Sequence, residues 1–272
     1  MPFLLVSAAD VGDARAALAG GAHIIDAKDP TRGVLGAVGI EALARIAMAA
    51  AGLAPVSAAL GDLCSSGDDR QLQVYASHAS ALGLTFLKVG VPVSTPRVRA
   101  IRALQDLRAR CAATARARVC AIVLAAYADG PEPARNPYGV IDAAHAGGAA
   151  AVLLDTQNKD GRRRLFDVLS PDAVAHWVTE AHSADLQVAI AGSLRLNDIA
   201  TARDTGADVI GVRGAACGGD RTGRVSATRV RALRDALELE PGASPVSPQT
   251  FVGDRAIPKR VPDESNPWPS FL

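Results

Sequence analysis

"AGGAHIID" (residues 19–26), "AGGAAAVLLD" (146–155) and "DTGADVIGV" (204–212) are one joint written three times. In each, a Gly-Ala pair stands between the end of a helical pattern and an apolar, β-rich run. Glycine there can take the left-handed turn that closes a helix, and the small alanine lets the chain enter a strand at once. Similar joints imply similar units.

Working outward by period, short β-rich runs alternate with longer segments of helical spacing, punctuated by Gly, Pro, Asp or Ser. The strands expected are 3–8, 23–28, 55–60, 84–90, 118–126, 151–156, 187–192 and 208–213. Between them fall helix candidates at 10–20, 39–52, 95–112, 170–184 and 197–206, several opening on Asp, Asn or Ser-Pro and closing on Gly. Eight βα units in about 240 residues match a (β/α)8 TIM barrel, whereas a doubly wound sheet more often uses about five to seven strands. The expected organisation is an α/β barrel over residues 1–240 with a proline-rich C-terminal extension, 241–272. That extension holds seven of the 16 prolines, together with Phe251, Trp268 and Phe271, and reads as an extended arm packed on the barrel or on a neighbouring subunit of a homo-oligomer.

The chain of 272 residues carries 29 basic and 28 acidic side chains, so no global field favours nucleic acid or an anionic membrane. Cys64, Cys111, Cys120 and Cys217 lack C-x-x-C spacing and indicate neither a zinc site nor a disulfide framework. The N-terminus has no signal-peptide pattern, the apolar stretches are too broken to span a bilayer, and a cytoplasmic location is expected.

Only four of the basic residues are lysines: Lys28, Lys88, Lys159 and Lys259. In an arginine-rich chain a lysine hints at a task arginine cannot perform, such as losing its proton and attacking a carbonyl. Barrel strands present alternate residues inward and hold their chemistry at their C-terminal ends. Asp26 and Lys28 on strand 2, Lys88 on strand 4, and Asp155 with Lys159 after strand 6 should therefore meet at one mouth. One Asp-Lys pair alone is as well explained by a structural salt bridge. Three lysines together would repel one another unless aspartates or a phosphate compensated, and such crowding lowers an amine's pKa.

The loops after strands 7 and 8 often hold a phosphate in such barrels. Here they supply Gly192 and Ser193, then Arg213, Gly214, Gly218 and Gly219; turn glycines also read as plain flexibility, but the position after strands 7 and 8 favours phosphate. Asp62, closing strand 3, reads as no more than a supporting acid behind the residues that would meet substrate. "DDR" (68–70) and "GRRRLFD" (161–167) read as solvated charge, and the five histidines form no metal-binding spacing.

"LLVSAAD", "ALAGGAHIIDAKDPTRGVLGA", "FLKVG", "VLLDTQNKDG", "VAIAGSL" and "GVRGAAC", in that order over residues 3–238, resemble the (5-formylfuran-3-yl)methyl phosphate synthase family, also called 4-(hydroxymethyl)-2-furancarboxaldehyde-phosphate synthase. The resemblance implies a cytoplasmic Schiff-base lyase that joins two molecules of glyceraldehyde 3-phosphate, with loss of phosphate and water, on the route to a methanofuran-type one-carbon carrier. It implies Lys28 as the imine-forming residue with Asp26 beside it, Lys88 as a proton-transferring amine, and Asp155 with Lys159 as a further active-site pair. No metal or organic cofactor is implied. Asp29 stands where the motif usually has glutamate, and the proline-rich extension has no counterpart in compact members. A conventional aldolase or phosphosugar isomerase on the same barrel, and a phosphosugar-binding barrel without catalysis, are the competing readings. Product analysis separates the first, and the absence of a covalent imine the second.

Overall fold

The computed structural model describes residues 1–115, 119–130, 137–159 and 163–239; the extension 241–272, with Phe251, Trp268 and Phe271, lies outside the described residues. All eight expected strands form, as β1 (Phe3–Ala8), β2 (Ile24–Ala27), β3 (Val56–Asp62), β4 (Phe86–Gly90), β5 (Ala121–Tyr127), β6 (Ala151–Asp155), β7 (Gln187–Ile190) and β8 (Val209–Val212). Each pairs in parallel with the next, and β8 returns to β1, so the sheet closes into a barrel without a free edge. The described helices are α1 (Val11–Ala19), α2 (Ile40–Ala50), α3 (Arg70–Ala81), α4 (Arg97–Thr114), α5 (Tyr138–Gly147), α6 (Leu165–Val168), α7 (Pro171–Ser183), α8 (Ile199–Asp204) and α9 (Ala227–Glu238).

The repeated joints behave as their glycines require: Gly21, Gly148 and Gly206 sit at φ +85°, +72° and +83°, conformations closed to most other residues. α1 opens on Asp10, whose carboxylate accepts from the N–H of Asp13, and α7 opens on Ser170 in the same way before Pro171. "DDR" is not uniformly solvated. Asp68 and Arg70 pair on the exposed surface, but Asp69 accepts from the Cys64 N–H at 2.9 Å and binds Arg99 at 2.8 Å, tying the loop after β3 to α4. In the second charged stretch Arg164 reaches Asp167 and Asp198, each within 2.8 Å, and so joins the segment before α6 to the turn before α8.

Strand periodicity divides the core into two layers. Residues facing outward, such as Leu4, Val6, Ile25, Leu87, Leu124 and Ile210, are buried against the helix ring. Residues facing inward, including Leu5, Ile24, Phe86, Val123, Leu153 and Val209, form a smaller plug inside the barrel. Above this plug, toward the C-terminal strand ends, the inward positions turn polar: Ser7, Asp26, Lys28, Ser57, Lys88 and Asp155 are all buried. Burying so many polar groups is unfavourable unless they satisfy one another or serve a function.

Candidate active site

Asp26 lies at the centre of this layer. Register places it between Ser7 on β1 and Ser57 on β3, and both hydroxyls donate to its carboxylate at 2.9 Å. Lys88, rising from β4, donates to Asp26 Oδ2 at 2.7 Å, which makes a fully enclosed ion pair. Three donors on one carboxylate offset the cost of burying its charge.

Lys28 is two residues along from Asp26, on the same side, with its backbone N–H continuing the ladder to the Ala8 carbonyl at 3.0 Å. The residue is 8% exposed, and among the described residues no hydrogen bond or ion pair engages the amine. Burial, above all, lowers its pKa from 10.5 to about 8; Asp155 and Asp26 act against this, while Lys159 and Lys88 add to it.

Asp155 ends β6 and is held by Lys159, which also donates to the Thr156 hydroxyl at 3.1 Å, and by the Thr156 N–H at 2.8 Å. Burial pushes the Asp155 carboxyl up, but Lys159, Lys28 and these hydrogen bonds outweigh it and hold the pKa below the usual value. The loop carrying Lys159 is itself anchored by Asp129, whose carboxylate accepts from the N–H groups of Gln157 and Asn158. Lys28, Lys88, Asp155 and Lys159 line one cavity of about 800 Å³, which extends toward the loops after β7 and β8.

Those loops present backbone donors to it. Gly192 is at φ +119° and Ser193 at +54°, a conformation non-glycine residues rarely adopt and one that clusters where backbone is shaped for function. Among the described residues, the N–H groups of Gly192 and Ser193 have no acceptor, and neither do those of Gly214 and Ala215 at the start of a short 3-10 turn. Gly214, Gly218, Gly219 and Arg221 also border the cavity. Arg213 is placed differently from a loop cation left free for an anion. Its guanidinium donates to Asp13 at 2.6 Å and to the carbonyls of Ser7, Arg221 and Gly223 at 2.8–2.9 Å. It therefore shapes the loop after β8 and ties it to β1 and α1.

Asp62 stands at the end of β3, where it accepts a hydrogen bond from the buried Tyr127 hydroxyl. Asp29, the shorter acid of the β2 motif, caps the following turn by accepting from the Thr31 N–H at 2.9 Å. Sequence reading passed over Ser7, Ser57, Tyr127 and Asp129. A signal existed for the first two, since each is a polar residue at an inward position of an apolar strand. Among the described residues, no three His, Cys, Asp or Glu side chains converge as metal ligands, and no helix is long and apolar enough to cross a membrane.

Residues 4–234 match the family model described as 4-HFC-P synthase. The (5-formylfuran-3-yl)methyl phosphate synthase of Methanopyrus kandleri is 38% identical over 241 residues, covering 87% of this chain and 99% of that protein. The protein of the same name from Methanocaldococcus jannaschii is 35% identical over 235 residues, covering 85% and 98%. Among solved structures, 3-hexulose-6-phosphate synthase from Salmonella typhimurium superposes with a TM-score of 0.58 at 14% identity, over 87% of this chain and 98% of that one, a likeness of fold alone.

Proposed function

Since the chain belongs to the 4-HFC-P synthase family, we propose that it is a (5-formylfuran-3-yl)methyl phosphate synthase, condensing two molecules of glyceraldehyde 3-phosphate with loss of phosphate and water through an imine on Lys28. The observation that carries this reading is the desolvated Lys28 amine in a cavity whose far wall offers four backbone N–H groups, amine and N–H groups alike without a hydrogen-bond partner among the described residues.

An amine must be neutral to attack a carbonyl carbon, and burial supplies that state near neutral pH. The phosphate of the bound triose would sit on the N–H groups of Gly192, Ser193, Gly214 and Ala215, with Arg213 holding the second loop in shape. Once water has left, the protonated imine acidifies the neighbouring carbon. Asp155 or Asp26 can take that proton, and Asp155 is the less encumbered because Asp26 already accepts from Lys88, Ser7 and Ser57. Lys88 and Lys159 remain as cationic donors for oxygen leaving groups, including the eliminated phosphate. This chemistry needs no metal or organic cofactor. It fits a place in the making of a methanofuran-type carrier in the cytoplasm.

Incubation with glyceraldehyde 3-phosphate and borohydride, followed by peptide mapping, should label Lys28, and without reductant the furan aldehyde should accumulate. Label on other lysines, or no label while furan still forms, would overturn the assignment. A product other than the furan would return the protein to the aldolase or isomerase class.

A further inference from the structure

The mouth of the barrel has two unlike sides. Toward β7 and β8 it is lined with backbone donors and arginine, whereas Asp155 borders it from β6; beyond that lining, at the ends of β3 and β5, Asp62 and Asp129 lie close enough to join burial, the main cause, and Asp155 in holding the Tyr127 hydroxyl above its usual pKa. A phosphate is attracted to the first side and repelled by the second. A two-triose reaction therefore has room for an uncharged end, the aldehyde of the second molecule, on the acidic side.

Asp62 is built for contact there. It is exposed at the end of β3; its Oδ1 is fixed by the buried Tyr127 hydroxyl, and Oδ2 has no partner among the described residues. The pair exists only because β4 ends in glycine: a Cβ on Gly90 would stand 1.8 Å from Asp62 Oδ1 and 2.4 Å from the Tyr127 oxygen. Gly90 is two residues beyond Lys88 on the same strand, so its missing side chain leaves a space on the inward face, and the Asp62 carboxyl occupies that space. Desolvation of the carboxyl, against the pull of the Tyr127 hydrogen bond, raises the Asp62 pKa, and Asp155 adds to the rise.

We infer that Asp62 is the proton donor to the aldehyde oxygen of the second triose, with Tyr127 as its positioning residue, an assignment that rests on the imine reading above. The enamine electron pair forms the new C–C bond, the C=O π pair moves onto oxygen, and the Asp62 proton passes to that oxygen. Asp62 is left as a carboxylate and regains its proton from solvent at the rim.

The test separates the two halves of the reaction. Borohydride trapping of Lys28 by glyceraldehyde 3-phosphate reports imine formation with the first triose, and furan release reports the whole sequence. Asp62→Asn should leave the trapping rate within about twofold of the native protein and lower furan kcat by roughly 100-fold or more. Tyr127→Phe should lower kcat about tenfold with little change in KM, and should add nothing in the Asp62→Asn background, since it acts only through that carboxyl. Gly90→Ala should reproduce the kcat loss without removing either group. Furan formation by Asp62→Asn within threefold of native, or parallel loss of trapping and product in a variant with a native melting curve, would overturn the inference. If Asp62→Asn fails to fold, the same criteria apply to Tyr127→Phe and Gly90→Ala. Absence of trapping in the native protein would instead defeat the imine reading.

Discussion

With a pKa of about 8 instead of 10.5, the Lys28 amine is roughly one-tenth neutral at pH 7, where an ordinary lysine would be about 0.03% neutral. The environment thus supplies about 300-fold more nucleophile, equivalent to about 3 kcal/mol. The rate of borohydride trapping at Lys28, measured from pH 6 to 10, should rise through a midpoint near 8 and level off above it. Neighbouring charges should move this midpoint in opposite directions. Asp155 raises the Lys28 pKa and Lys159 lowers it, so Asp155→Asn should shift the profile to lower pH and Lys159→Met to higher pH. A midpoint above 10, or shifts of the same sign in both variants, would refute the account of why this amine is reactive.

Burial depresses the folded-state pKa of Lys28, so the unfolded chain binds the extra proton between about pH 8 and 10.5; stability from this group is lost below that window and recovered as pH rises through it. Lys28→Met should therefore abolish trapping yet stabilise the fold at pH 7, by up to about 3 kcal/mol in denaturant titration, and an unchanged or lower midpoint would count against it. Lys88→Met removes the partner of a fully buried carboxylate and should cost about 3–5 kcal/mol, with much of the loss recovered in Lys88→Met/Asp26→Asn. Gly192→Ala places a methyl 3.0 Å from Leu165 Cβ at φ +119°, and should raise KM for the phosphorylated substrate far more than it alters the Lys28 trapping midpoint.

Much of the barrel was legible because its signals are local. Period-two strands, glycine joints and capping residues are set by neighbours a few positions away, and they located all eight strands. The same alternation placed Asp26, Lys28 and Lys88 on inward faces, and strand ends gave Asp155 and Lys159. Helices α3, α5, α6 and α9 fall outside the expected set, and α3 shows why: it is rich in Gln, Ser and His and is buried through small residues such as Ala76, Ala79 and Ser80. The role of Arg213 was hidden for a different reason. Whether a guanidinium meets a ligand or the loop's own carbonyls depends on a contact with Asp13 at the other end of the chain, and no spacing rule reports it. The Asp62–Tyr127 pair spans 65 residues and is equally invisible to periodicity.

The scarcity of lysine has a practical corollary. Of the four primary amines on side chains, Lys28, Lys88 and Lys159 lie in one cavity, and among the described residues the outer surface is left to guanidinium groups. Acylating or carbamoylating reagents that ignore arginine will find few competing targets, and the amine held nearest neutrality should react first. Stoichiometric inactivation by such a reagent, slowed by inorganic phosphate, would make this chain self-reporting: the extent of modification would count functional centres without any substrate present.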